Sequence, residues 1–144
     1  RLDIRGRLPE HKIDIVVAID TSGSMSNDTL AKCINEIFNI TKNSKRKITI
    51  IECDMQIQKV YEARTPANVQ TQLKGRGGTA FSPVFEYMKE KNMKNNILIY
   101  FTDGFGERTL KVKPITKQNL WVITKSVKDL SVSPTYGEVK ELKI

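Results

Sequence analysis

Two runs of almost unbroken apolar residues dominate the chain. One spans Ile13 to Ile19 and closes on Asp20; the other spans Asn96 to Thr102 and closes on Asp103-Gly104. Neither alternates apolar with polar. Such runs, rich in β-branched residues, predict strands covered on both faces, as in a parallel sheet flanked by helices. Lys47 to Cys53 predicts a further strand. Met55 to Tyr61 predicts an edge hairpin partner, with Ile57, Lys59 and Tyr61 alternating against Gln58 and Val60. Leu120 to Ile123 is a short apolar run holding Trp121, which reads as core, and the tail from Val132 to Leu142 ends in an edge strand.

Between these strands the spacing becomes helical. Ser26 or Asn27 caps a helix reaching about Thr41, with Leu30, Ile34, Ile37 and Phe38 on one stripe. Pro66 to Lys74 predicts a short helix with Pro66 in its first turn. Gly75 to Thr79 is a loop that needs a permissive backbone. Ser82-Pro83 then starts a helix that buries Val84, Phe85 and Met88. No repeat, low-complexity tract or linker interrupts the alternation. Strands alternating with helices predict one three-layer α/β domain, a mostly parallel sheet with helices on both faces. Residues 1–12 read as a lead-in and residues 13–144 as the domain. The chain opens on Arg1 rather than Met, which predicts that it is part of a longer protein.

Composition changes this picture little. The 144 residues suffice for a self-sufficient core, and 39% hydrophobic with 28% charged residues is ordinary for a globular chain. The net charge of +8 admits three readings: a nucleic acid, an acidic protein partner, or a solvated surface with no single target. Cys33 and Cys53 stand far apart with no CxxC, and His11 is the only histidine. That pattern excludes a His-pair zinc site and favours free thiols in a reducing compartment. No apolar run approaches the ~18 residues needed to cross a bilayer, so no membrane role is expected.

Candidate chemistry gathers at strand ends and in the glycine loop, where open α/β sheets place their ligands. In Asp20-Thr21-Ser22-Gly23-Ser24, oxygen-bearing side chains recur at alternate positions, and alternate side chains of an extended segment face one way. Thr79 closes the glycine loop, and Asp103 closes the other buried strand. Together these are two carboxylates and three hydroxyls, an all-oxygen set suited to Mg²⁺ or Mn²⁺ and poor for zinc or copper. Mg²⁺ wants about six ligands at roughly 2.1 Å, so waters would complete the shell. The neutral hydroxyls leave positive charge uncancelled, able to attract an incoming carboxylate. Against this stand plainer readings: Asp20 and its serines as a helix cap, Thr102-Asp103-Gly104 as a turn. Asp54 fits a turn better than an acid supporting the site, and Glu107 and Arg108 either rim the site or are simply solvated.

Val17-Ala18-Ile19-Asp20-Thr21-Ser22-Gly23-Ser24-Met25 resembles the DxSxS element of von Willebrand factor A (VWA) domains. Thr79 and Asp103 resemble the separated threonine and aspartate that complete their metal-ion-dependent adhesion site. Glu52-Cys53-Asp54, Gly75 to Thr79, Pro83-Val84-Phe85, Tyr100 to Gly104 and Leu120-Trp121-Val122 are similar to a bacterial VWA-like subgroup often joined to an upstream metallopeptidase-like segment. The likeness runs from about Asp14 to Gly137. It implies a Rossmann-like VWA fold in which Asp20, Ser22 and Ser24 reach the metal directly or through water. It also implies that Thr79 is a ligand when a partner is bound, and that Asp103 touches the metal or one of its ligands. Ala80 stands where the subgroup often has aspartate, which weakens hydrogen bonding around the ligands rather than the ligand set.

The expected function is a non-catalytic module that binds a Glu or Asp of a protein partner through the metal. The resemblance adds a cytoplasmic setting and a MoxR-type AAA+ ATPase as the kind of partner. The rival is a metal-dependent hydrolase. Against it, Ser22 occupies the place where an aspartyl-phosphate phosphatase needs a second aspartate, and no HExxH is present. On this reading, peptidase activity would reside in a segment preceding Arg1. Nucleic-acid binding rests on charge alone, with few aromatics and no reading motif, and is disfavoured.

Overall fold

A computed structural model of the protein describes residues 14–21, 26–41, 48–69, 78–102, 109–116, 118–123 and 137–141. Its strands are β1 (Ile15–Asp20), β2 (Ile48–Cys53), β3 (Ile57–Ala63), β4 (Ile97–Thr102), β5 (Gln118–Ile123) and β6 (Glu138–Glu141). The helices are α1 (Asn27–Thr41) and α2 (Ser82–Glu90). The strands form one sheet in the order β3-β2-β1-β4-β5-β6. Only β3 runs antiparallel to its neighbour; β2, β1, β4, β5 and β6 pair in parallel. This is the expected α/β architecture.

All residues of β1, β2 and β4 are buried, as the apolar runs of β1 and β4 require; β2 also buries Thr49 and Glu52. Alternate residues serve opposite faces. Ile15, Val17 and Ile19 join Leu30, Cys33, Ile34, Ile37 and Phe38 of α1. Val16 and Ala18 join Val84, Phe85 and Met88 of α2 on the other side. The expected helices therefore cover both faces. Ser26 caps α1, its Oγ accepting the Thr29 N–H at 3.1 Å. Trp121 is 1% exposed and lies in the core, as expected. At the far edge Gly137 has φ +147°, and a Cβ there would meet the Asn119 carbonyl oxygen at 2.6 Å, so glycine is needed where the chain enters β6.

Two local expectations change. In β3, Ile57 does not share a face with Lys59 and Tyr61. Cys53 pairs with Ile57 but Glu52 pairs with Lys59, so an extra residue bulges the strand between them. Ile57 consequently packs on the α2 side and Tyr61 on the α1 side. The helix expected over Pro66 to Lys74 is a 3-10 turn over Pro66–Asn68, followed by extended Val69; residues 70–74 lie outside the described residues. The Asn68 side-chain oxygen accepts the N–H groups of Arg64 and Thr65, both at 3.0 Å, which closes the turn tightly. Ser82 is the first residue of α2, as expected of a helix started by Ser82-Pro83. Its Oγ accepts the Lys111 N–H at 2.9 Å, fastening the segment before β5 to the helix.

Candidate metal centre

The sheet order reverses direction at β1, which lies between β2 and β4, and open α/β sheets bind ligands at the carboxyl ends of the strands beside such a point. Asp20 is the last residue of β1 and Thr102 the last of β4. The register pairs Ile19 with Phe101, so the next step brings Asp20 alongside Thr102. The Thr102 hydroxyl donates to Asp20 Oδ2 at 2.7 Å, across 82 residues of sequence. Asp20 is 2% exposed. A carboxylate so deeply buried is costly unless polar partners receive it.

Thr79 arrives from the other side. Its Oγ1 stands 3.4 Å from Asp20 Oδ1 and 3.5 Å from Oδ2, across 59 residues of sequence. Those lengths lie at the outer limit of a hydrogen bond, so the hydroxyl faces both oxygens without closing on either. The segment holding Thr79 is fixed by its neighbours. The Ala80 N–H donates to the Asp54 carbonyl at 2.9 Å, and Cys53 Sγ lies 3.6 Å from the Ala80 carbonyl oxygen. The Thr21 N–H donates to the Cys53 carbonyl at 3.1 Å, locking the end of β1 to β2. Thr21 Oγ1 is buried with no hydrogen-bond partner.

Two of the five expected ligands, Asp20 and Thr79, are thus together. Ser22, Ser24 and Asp103 lie outside the described residues, as do Glu107 and Arg108. Among the described residues no three His, Cys, Asp or Glu side chains cluster, a test that a site built mainly of hydroxyls does not meet in any case. Sequence reasoning placed Thr102 at a strand end and in a turn but gave it no part in the site, because the match of two polar strand ends appears only with the register of β1 and β4. Asp54 is a turn residue, its Oδ1 accepting the Gln56 N–H at 3.2 Å and the Gln58 side-chain amide at 3.0 Å. A cavity of about 570 Å³ lies at the opposite, amino end of the strands, with Asp14, Thr49, Tyr87 and Lys91 in its lining, away from Asp20.

The family model described as "VWA-like domain (DUF2201)" matches residues 15–143, from the start of β1 to beyond β6. The chain belongs to this family. No curated protein matches it significantly. In this VWA-like domain Cys33 and Cys53 are both buried and are not joined in a disulfide. Among its described residues no helix is long and apolar enough to cross a membrane.

Proposed function

We propose that this VWA-like domain is a non-catalytic binding module that holds a divalent cation, Mg²⁺ or Mn²⁺, at the carboxyl ends of β1 and β4 and uses it to bind an acidic group of a partner protein. The observation that carries this reading is the convergence on Asp20: a buried carboxylate faced by the hydroxyls of Thr102 and Thr79. The donor set fits the metal. It is all oxygen, and hydroxyls rather than further carboxylates surround the one described charge, which suits a hard cation with charge to spare. Asp20 and Thr79 would hold the ion, with Ser22, Ser24 and Asp103 as the further ligands the sequence leads us to expect.

Thr102 has a separate task. By donating to Oδ2 it orients the carboxylate, which the Thr79 hydroxyl faces from the other side. Thr79, held through Ala80 to the β2–β3 turn, is close enough to join Asp20 on a shared ligand. The metal, when bound, supplies a positive centre that a Glu or Asp side chain can approach. The excess of positive charge over the chain would speed encounter with an acidic partner. By resemblance that partner is an ATPase of the MoxR type in the cytoplasm, a setting with which two cysteines outside any disulfide agree.

Calorimetric titration of Mg²⁺ and Mn²⁺ into metal-stripped protein tests this, with Asp20→Ala beside the wild type. Saturable binding that Asp20→Ala abolishes is the expected result. Equal binding by both proteins would move the metal elsewhere and end the proposal.

A further inference from the structure

Among the described residues the large hydrophobic side chains left open to solvent are Met55 and Val60, 59% and 36% exposed. Val60 lies on the flank of edge strand β3, where a single exposed apolar residue is ordinary. Met55 is placed differently. It sits in the turn between β2 and β3, beyond the carboxyl end of β2, the same end of the sheet as Asp20. Its thioether lies against the backbone of Gly78: a Cβ built there would meet Met55 Sδ at 2.6 Å and Cγ at 2.9 Å. Gly78 directly precedes Thr79. The lack of a side chain at position 78 lets the methionine lie against the backbone next to Thr79.

The two segments are tied together. The Ala80 N–H donates to the Asp54 carbonyl and Cys53 Sγ lies 3.6 Å from the Ala80 carbonyl oxygen, while within the turn the Asp54 N–H donates to the Gln56 carbonyl at 3.1 Å. The turn that presents Met55 and the strand-like segment that presents Thr79 therefore form one surface. Methionine is flexible and polarisable, suited to apolar partners of varied shape. An exposed thioether one residue from a hydroxyl that faces a buried carboxylate makes a surface with one polar and one apolar half.

We propose that Met55 is the apolar half of the partner-binding surface, so that the site selects a carboxylate carried beside an apolar group over a carboxylate alone. The proposal rests on the metal-dependent reading above and adds the chemistry of the partner. The partner segment would place a side chain such as Leu, Ile or Met next to its Glu or Asp. The carboxylate would meet the Asp20–Thr79 side and the neighbouring side chain would cover the Met55 thioether.

Small carboxylates can probe this without an identified partner. Protein carrying ¹³C-methyl methionine, in Mg²⁺, would be titrated with acetate and with 4-methylpentanoate and followed by NMR. The Met55 methyl signal would be assigned by its loss in Met55→Gln, a change at an exposed position. We expect 4-methylpentanoate to bind about five- to tenfold tighter than acetate, as burial of a few methyl groups implies, and to move the Met55 signal. In Met55→Gln the preference should vanish while acetate binds as before. Equal affinities in the wild type, or a preference that survives Met55→Gln, would overturn the role of Met55 and leave the metal site standing. If neither carboxylate binds, or if Asp20→Ala binds both unchanged, the metal-dependent reading itself fails and takes this one with it.

Discussion

Under α1 the sheet presents Ile15, Val17, Ile19, Ile50 and Ile99, and the helix answers with Leu30, Ile34 and Ile37. Under α2 it presents Tyr100 and Trp121, answered by Phe85 of the helix and by Phe81 just before it. The first face is mainly aliphatic, with Phe38 and Phe101 among its buried residues, and needs chiefly volume and shape. The second is a cluster of rings with defined mutual angles: Phe81 meets Tyr100 edge-on at 5.4 Å and Trp121 at 5.1 Å, while Tyr100 and Trp121 stack at 5.0 Å. Strand alternation decides which face serves the site. Asp20 continues the set Val16, Ala18, and Thr102 continues Leu98, Tyr100, so the polar residues cap the aromatic side. Phe81 joins the two, because it lies two residues beyond Thr79. The aromatic face thus works as the footing of the site, whereas the aliphatic face stabilises the domain without touching it.

Paired truncations should separate these roles most sharply. Phe81→Ala is expected to cost about 3–5 kcal/mol and Ile37→Ala about 2–5 kcal/mol in denaturant unfolding, since both side chains are buried. Their effects on the site should differ. Under the proposed function, Phe81→Ala should also weaken Mg²⁺ binding by the folded protein, because the segment carrying Thr79 loses its anchor. Ile37→Ala should leave the affinity unchanged. If both variants weaken the metal equally, the division between the faces does not hold.

A smaller effect is expected at Trp121. Its Nε1 is buried and makes no hydrogen bond, which is unusual for a core tryptophan and costs stability. Trp121→Phe removes that N–H and keeps an aromatic ring against Phe81 and Tyr100. The lost volume destabilises and the lost polar group stabilises, so the net change should stay within about 1 kcal/mol. A loss several times larger, seen in urea unfolding, would mean that the indole N–H is satisfied by a buried water.

Much of this was readable from the residues. Unbroken apolar runs marked β1 and β4, because strands buried on both faces cannot alternate. The α1 stripe of Leu30, Ile34 and Ile37 was readable because helix periodicity is local. Asp20 and Thr79 were readable as a pair through the loops that follow buried strands and through resemblance. The bulge at β3 was not readable, since it depends on which residue of β2 each residue of β3 meets. The use of Ser82 to hold Lys111 was equally hidden, since a serine that starts a helix does not announce a partner 29 residues away. Thr102 escaped for a related reason: its role appears only once β1 and β4 are known to be neighbours in register.

The smallest expected effect belongs to the aliphatic face and depends on pH. Cys33 lies in α1 against that core, 4% exposed. Burial, with a further contribution from the Glu36 carboxylate, pushes its thiol up from 9.0 to about 11. The folded state therefore resists forming the thiolate that the unfolded chain forms near pH 9.0. The thiol's contribution to stability is intact below pH 9.0 and is lost as pH rises toward about 11. Urea midpoints measured below pH 9.0 and near pH 11 would show this as a difference between wild type and Cys33→Ala, since tyrosines and lysines titrate in both. The wild type should lose more stability over that interval. Parallel losses would show that the Cys33 thiol meets solvent when it ionises, and that the α1 face opens more readily than its aliphatic packing implies.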